Sequence, residues 1–134
     1  MLRLPTVDID LTNTSVGTTL EDVGTSGNTD PEIKLAGGYS RLAFQLTNAH
    51  GSNALANFTL MAKTHKDGTW QTLIATTAWA TIAGRLLDFD GAPHTLAASA
   101  TATALINVEG LHQVKFQADA DTAGSVTIKG TAVQ

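Results

Sequence analysis

The chain has 134 residues, 43% hydrophobic and 15% charged, with a formal net charge of −4, 5% aromatics and no cysteine. That length suits one domain with one core, burying roughly two thirds of the unfolded surface. The acid excess works against binding a phosphate backbone, and the missing thiols exclude a disulfide framework or a thiolate zinc site.

The opening MLRLPTVDID lacks the apolar run of an export signal, and nowhere do about eighteen apolar residues follow one another, so neither secretion nor a helical membrane span is expected. The Asn13-Thr14-Ser15 and Asn57-Phe58-Thr59 sequons then read as chance. Val7, Ile9 and Leu11 alternate with Asp8, Asp10 and Thr12, which predicts a strand over 7–12 because side chains along a strand point to opposite faces in turn. The following TNTSVGTTLEDVGTSGNTDPE favours turns over core, with a second strand expected over 18–23. Residues 1–38 are therefore expected to form an N-terminal arm with one or more edge strands, and 39–134 the body.

After Gly37-Gly38, strands are predicted over 42–47 and 58–63 and are read as a hairpin through AHGSN. The Asp67-Gly68 turn, where a positive φ is expected, leads into a strand over 70–75. That strand has bulk on both sides and reads as central. Phe44, Phe58, Phe116 and Trp70 are assigned to the core, and Trp79 to the surface. Between Thr76 and Ala102, Trp79, Ile82, Ala83 and Leu86 have helical spacing. The β-branched Thr76, Thr77, Thr81 and Ile82, together with Gly84, argue instead for a broken strand and loop with at most one short helical turn. Three strands close the chain between 104 and 133. About eight strands with turn signals about ten residues apart predict an all-β fold, a single antiparallel, jelly-roll-like β-sandwich with an extended N-terminal arm.

Reactive constellations are sparse. The pairs Asp8/Asp10, Asp88/Asp90 and Asp119/Asp121 could put two carboxylates on one strand face about 7 Å apart, yet they fall at polar positions or turns, as solvated faces require. His50, His65, His94 and His112 have no partner at ligand spacing and read as surface or turn residues. Nucleophile-elbow, phosphate-loop and dinucleotide fingerprints are missing. No catalytic, cofactor-binding or metal-ligating residue is assigned, and the chain is not expected to be an enzyme.

The order GGYSRLAFQLTN, FTLMAK, HKDGTWQTL, TLAASATA and NVEGLHQVKFQADADTAGSVTIKGTAV, spanning 37–133, resembles small structural proteins of tailed bacteriophages, β-sandwiches that decorate or cement the capsid. The resemblance implies a virion protein on the outer capsid surface, assembled in the bacterial host cytoplasm, that binds the major capsid protein and stabilises the shell without a cofactor, nucleic acid or membrane. It is expected to be a homo-oligomer, a trimer in preference to a dimer. Subunit or capsid contacts are expected from Leu2, Leu4, Val7 and Ile9 in the arm and from Trp79, Leu86 and Leu87. The alternatives are a carbohydrate-binding module or fibre segment meeting host glycans through Trp70, Trp79 and Tyr39, and a tail or head-completion component.

Overall fold

A computed structural model describes residues 5–24 and 30–134, so Leu2 and Leu4 of the expected contact set lie outside the described residues. Ten strands follow in order: β1 (Thr6–Val16), β2 (Glu21–Asp22), β3 (Ile33–Lys34), β4 (Arg41–Asn48), β5 (Leu55–Lys63), β6 (Gln71–Ile74), β7 (Leu86–Asp90), β8 (Thr101–Asn107), β9 (Gln113–Ala120) and β10 (Gly124–Val133). They form two antiparallel sheets, one ordered β1-β10-β4-β8-β7 and the other β2-β9-β5-β6, with β3 also paired to β9. Apart from the β5–β6 hairpin and β7–β8, consecutive major strands alternate between the sheets. That interleaving is the double Greek key of a jelly roll, as expected from the sequence.

The crossing corrects two local expectations. The 42–47 and 58–63 segments are not a hairpin: β4 pairs with β10 and β8, whereas β5 pairs with β9 and β6. The reason lies in their apolar faces. Leu42, Phe44 and Leu46 on β4 and Phe58, Leu60 and Ala62 on β5 are all buried, and two layers facing each other cover both sets, whereas one shared sheet would need a third layer. The strand after the Asp67-Gly68 turn is an edge rather than a centre, since β6 pairs only with β5 and buries Ile74 alone. At that turn the glycine serves close approach instead of a positive φ. Gly68 N–H donates to the His65 carbonyl at 2.9 Å, and a Cβ there would stand 3.0 Å from that oxygen.

The described part of 1–38 is woven into the body. β1 runs along β10 from Thr6↔Val133 to Val16↔Gly124, and Ile9, Leu11 and Val16 enter the core. Between β6 and β8 there are two 3-10 turns, Thr76–Ala80 and Pro93–Thr95, where at most one had been expected, with β7 between them.

Aromatics fill the centre. The rings of Phe58 and Phe116 stack at 5.6 Å, Phe44 lies 4.7 Å from Phe116, and Trp79 meets Phe44 edge-on at 5.9 Å. Trp79 is wholly buried and its indole N–H donates to the Phe58 carbonyl at 2.9 Å. The two tryptophans thus exchange their expected places. Trp70 precedes β6 at the position beside outward-facing Lys63, while the turn over 76–80 sets Trp79 against Phe44 and Phe58.

Candidate interaction surfaces

The outward face of the β1-β10-β4-β8-β7 sheet is ordered by register. Asp10, Lys129, Gln45, Thr103 and Asp90 form one row across five strands, and Asp8, Thr131, Ala43, Leu105 and Asp88 form the next. Small side chains at Ala43, Thr131 and Thr103 leave a shallow trough of about 460 Å³ between Lys129 on one side and Asp88 and Asp90 on the other. Two of the three Asp-x-Asp pairs therefore occupy the two opposite edge strands of one sheet. Charges at such edges oppose pairing with a second sheet, which accounts for both pairs without a ligand. No group of three or more His, Asp or Glu residues able to hold a metal ion occurs among the described residues. The third pair divides. Asp119 is buried at 9% exposure and accepts from Asn57 Nδ2 at 3.0 Å, while Asp121 is exposed in a turn.

The other sheet's outward face is a polar layer. Lys115 pairs with Asp22 at 3.3 Å, and Gln117 Nε2 donates to the same carboxylate at 2.9 Å. The Trp70 ring lies 4.8 Å from Lys63 Nζ and 4.6 Å from Lys115 Nζ. Thr59 Oγ1 and Gln113 Oε1 are enclosed on this face without a hydrogen-bond partner. Each such unmet buried atom costs about 1–3 kcal/mol.

One histidine was misread. His50 is 3% exposed and forms a junction between strand ends. Asn48 Nδ2 donates to the carbonyls of Asn53, Leu96 and Ala97 at 2.9 to 3.2 Å, which turns Asn48 Oδ1 toward His50 Nδ1 at 2.7 Å. His50 Nε2 lies 3.1 Å from the Val16 carbonyl and 2.9 Å from that of Thr122. Both ring nitrogens thus lie within hydrogen-bond distance of oxygen atoms from three separate segments of the chain.

Among the expected contact residues, Val7 and Leu87 remain half-buried at the surface. Ile9, Leu86 and Trp79 are 5%, 2% and 0% exposed and belong to the core, so they offer no free contact surface. Ile9 and Leu86 take the inward positions of amphipathic edge strands. The three-aromatic sugar platform is not assembled either. Trp79 is internal, Tyr39 packs against the core, and Trp70 is half-exposed on the outer face of the second sheet. Sequence reasoning missed the pairing of Trp70 with Lys63 and Lys115, although both lysines stand at polar positions of their alternations.

No family model and no curated protein matches the chain. Among solved structures, the crystal structure of SPBc2 prophage-derived protein YomS resembles it with a TM-score of 0.52 at 14% identity, covering 100% of this chain and 99% of that one. The two chains share a fold along their whole lengths.

Proposed function

We propose that the chain is a structural protein of a tailed-bacteriophage virion, a capsid decoration protein that binds the assembled shell through the outward face of the β1-β10-β4-β8-β7 sheet. The observation that carries this reading is the end-to-end likeness to a prophage-derived protein. The open trough and its flat rows of small and threonine side chains suit a protein surface better than an enclosing small-molecule cleft.

Size decides how such a face binds. Five strands about 4.8 Å apart and about four outward residues per strand give a face of about 20 by 25 Å, or about 500 Å². A stable interface takes about 800 Å² from each partner. One copy therefore binds weakly, and a homo-oligomer that places several faces on the lattice gains affinity through effective concentration. A trimer fits this need better than a dimer. Binding only the assembled shell then opposes its rupture, because a ligand stabilises the state it prefers.

The test is co-sedimentation of the purified protein with expanded capsids of the phage that encodes it, comparing the wild type with Leu105→Glu and Lys129→Glu. The expected result is saturable binding reduced at least tenfold by either change, with thermal midpoints held. Undiminished binding by both variants rejects this face, and no binding by the wild type rejects the function.

A further inference from the structure

Two surfaces at opposite edges of the β1-β10-β4-β8-β7 sheet carry opposite charges. On the β7 side, the loop before that strand exposes Ile82 at 58%, the most exposed large hydrophobic side chain among the described residues. Leu86 N–H closes the loop on the Ala83 carbonyl at 3.1 Å, and Arg85 Nη1 donates to the carbonyls of Asn107 and Glu109 at 3.2 and 2.9 Å. Arg41 stands across from Asn107 at the same end of the sheet and donates to the Ser40 carbonyl. Main-chain carbonyls hold both guanidinium groups, and neither has a carboxylate within ion-pair distance among the described residues. On the β1 side, a groove of about 310 Å³ lies between that strand and the 30–34 segment. Val7 and Ile33 line it, and Asp8, Asp10, Asp30 and Glu32 set four carboxylates around it against one ammonium, Lys34. None of the four is ion-paired among the described residues.

The groove and the Ile82 loop stand four strand spacings apart, about 19 Å, so they cannot meet within one molecule. Between molecules they complement each other. An exposed isoleucine alone asks for nothing, but beside it Arg85 is held in place and half-buried. Arginine is enriched at protein interfaces, where its planar fork meets a carboxylate through two parallel hydrogen bonds. A free cation in the groove would leave Ile82 and Val7 uncovered, and an anionic partner would be repelled from it; a second copy satisfies both surfaces at once. We propose that the chain associates head to tail with copies of itself, the loop carrying Ile82 and Arg85 of one copy seating in the acid-rimmed groove of the next, with Ile82 against Val7 and Arg85 against Glu32. The carboxylates that repel a second acidic strand edge attract this cationic loop. Because the two surfaces differ, every copy offers one of each, and the contact closes into a ring when the rotation between neighbours divides a full turn. It deepens the capsid reading, on which its purpose rests, by naming the contact that builds the homo-oligomer, and it is tested without a capsid.

Sedimentation velocity of the purified full chain provides that test. The expected result is a species of a whole multiple of 13.9 kDa that gives way to monomer as salt rises toward about 1 M, where a screening length of about 3 Å weakens the ion pairs. Ile82→Asp, at an exposed position that leaves the thermal midpoint unchanged, should weaken association at least tenfold, as should Arg85→Glu and Glu32→Lys. The double variant Arg85→Glu with Glu32→Lys exchanges the partners and should associate again. A monomer at every concentration in low salt, wild-type association in Ile82→Asp, or a double variant that stays monomeric overturns the proposal. A monomeric wild type that loses capsid binding in Ile82→Asp gives the loop to the capsid protein, which overturns this contact and spares the capsid reading.

Discussion

Gly124→Ala puts the His50 junction under direct strain. A Cβ at Gly124 would lie within 2.6 Å of both Cγ and Nε2 of the imidazole, far inside van der Waals contact. The ring has nowhere to go without giving up Asn48 Oδ1 or the carbonyls of Val16 and Thr122. Those three acceptors tie the 48–53 crossing to the end of β1 and to the β9–β10 turn. Overpacking costs about 1–3 kcal/mol, and leaving at least one buried acceptor unmet adds about 1–3 kcal/mol. The expected loss is about 4 kcal/mol, a large part of the 5–15 kcal/mol that holds a domain together. At about 4 °C per kcal/mol for a chain of this size, the thermal midpoint should fall by about 15 °C. Urea unfolding followed by circular dichroism measures it. A double-mutant cycle attributes it: in a His50→Ala background, where the ring is gone, Gly124→Ala should cost less than about 1 kcal/mol. A cost below about 0.5 kcal/mol in the wild-type background, or the same cost in both backgrounds, would refute the reasoning.

The remaining expectations concern the tryptophans and the sheet edges. Trp79→Ala should cost about 3–5 kcal/mol in urea unfolding, as for a large ring removed from a packed core, while Trp70→Ala should stay within about 1 kcal/mol. Comparable costs at both positions would contradict the exchanged assignment. Replacing Asp8 and Asp10 together by Val should raise light scattering at high concentration, because the exposed edge of β1 loses its two charges; unchanged monodispersity would count against an edge-guarding role.

The strands were legible wherever one face is apolar and the other polar, as in Leu42, Phe44 and Leu46 on β4 or Val114, Phe116 and Ala118 on β9. Period-two patterning gives the strand and its buried side, but it is silent about which neighbour completes the sheet. Hence β4 and β5 were read as adjacent when they lie in facing layers. The tryptophans failed for a different reason. Trp70 sits one residue outside β6, where only the register with Lys63 decides which way it points. Trp79 sits in a 3-10 turn with no alternation at all, and its burial depends on contacts with Phe44 and Phe58 from two facing strands. His50 was invisible because two of its three ring partners are the carbonyls of Val16 and Thr122, which carry no side-chain signature, and the third, Asn48, reads as an ordinary turn residue. The edge role of Asp8/Asp10 and Asp88/Asp90 likewise needed the strand order: the same four acids in central strands would have posed a question of ligands.

Electron cryomicroscopy of the intact particle tests the central claim most directly. The account predicts density of this jelly roll on the outside of the shell at a lattice symmetry axis, with the face that bears Ala43, Leu105 and Lys129 turned toward the capsid protein. Density confined to the tail or the head-completion ring, or a particle lacking this chain altogether, would contradict it.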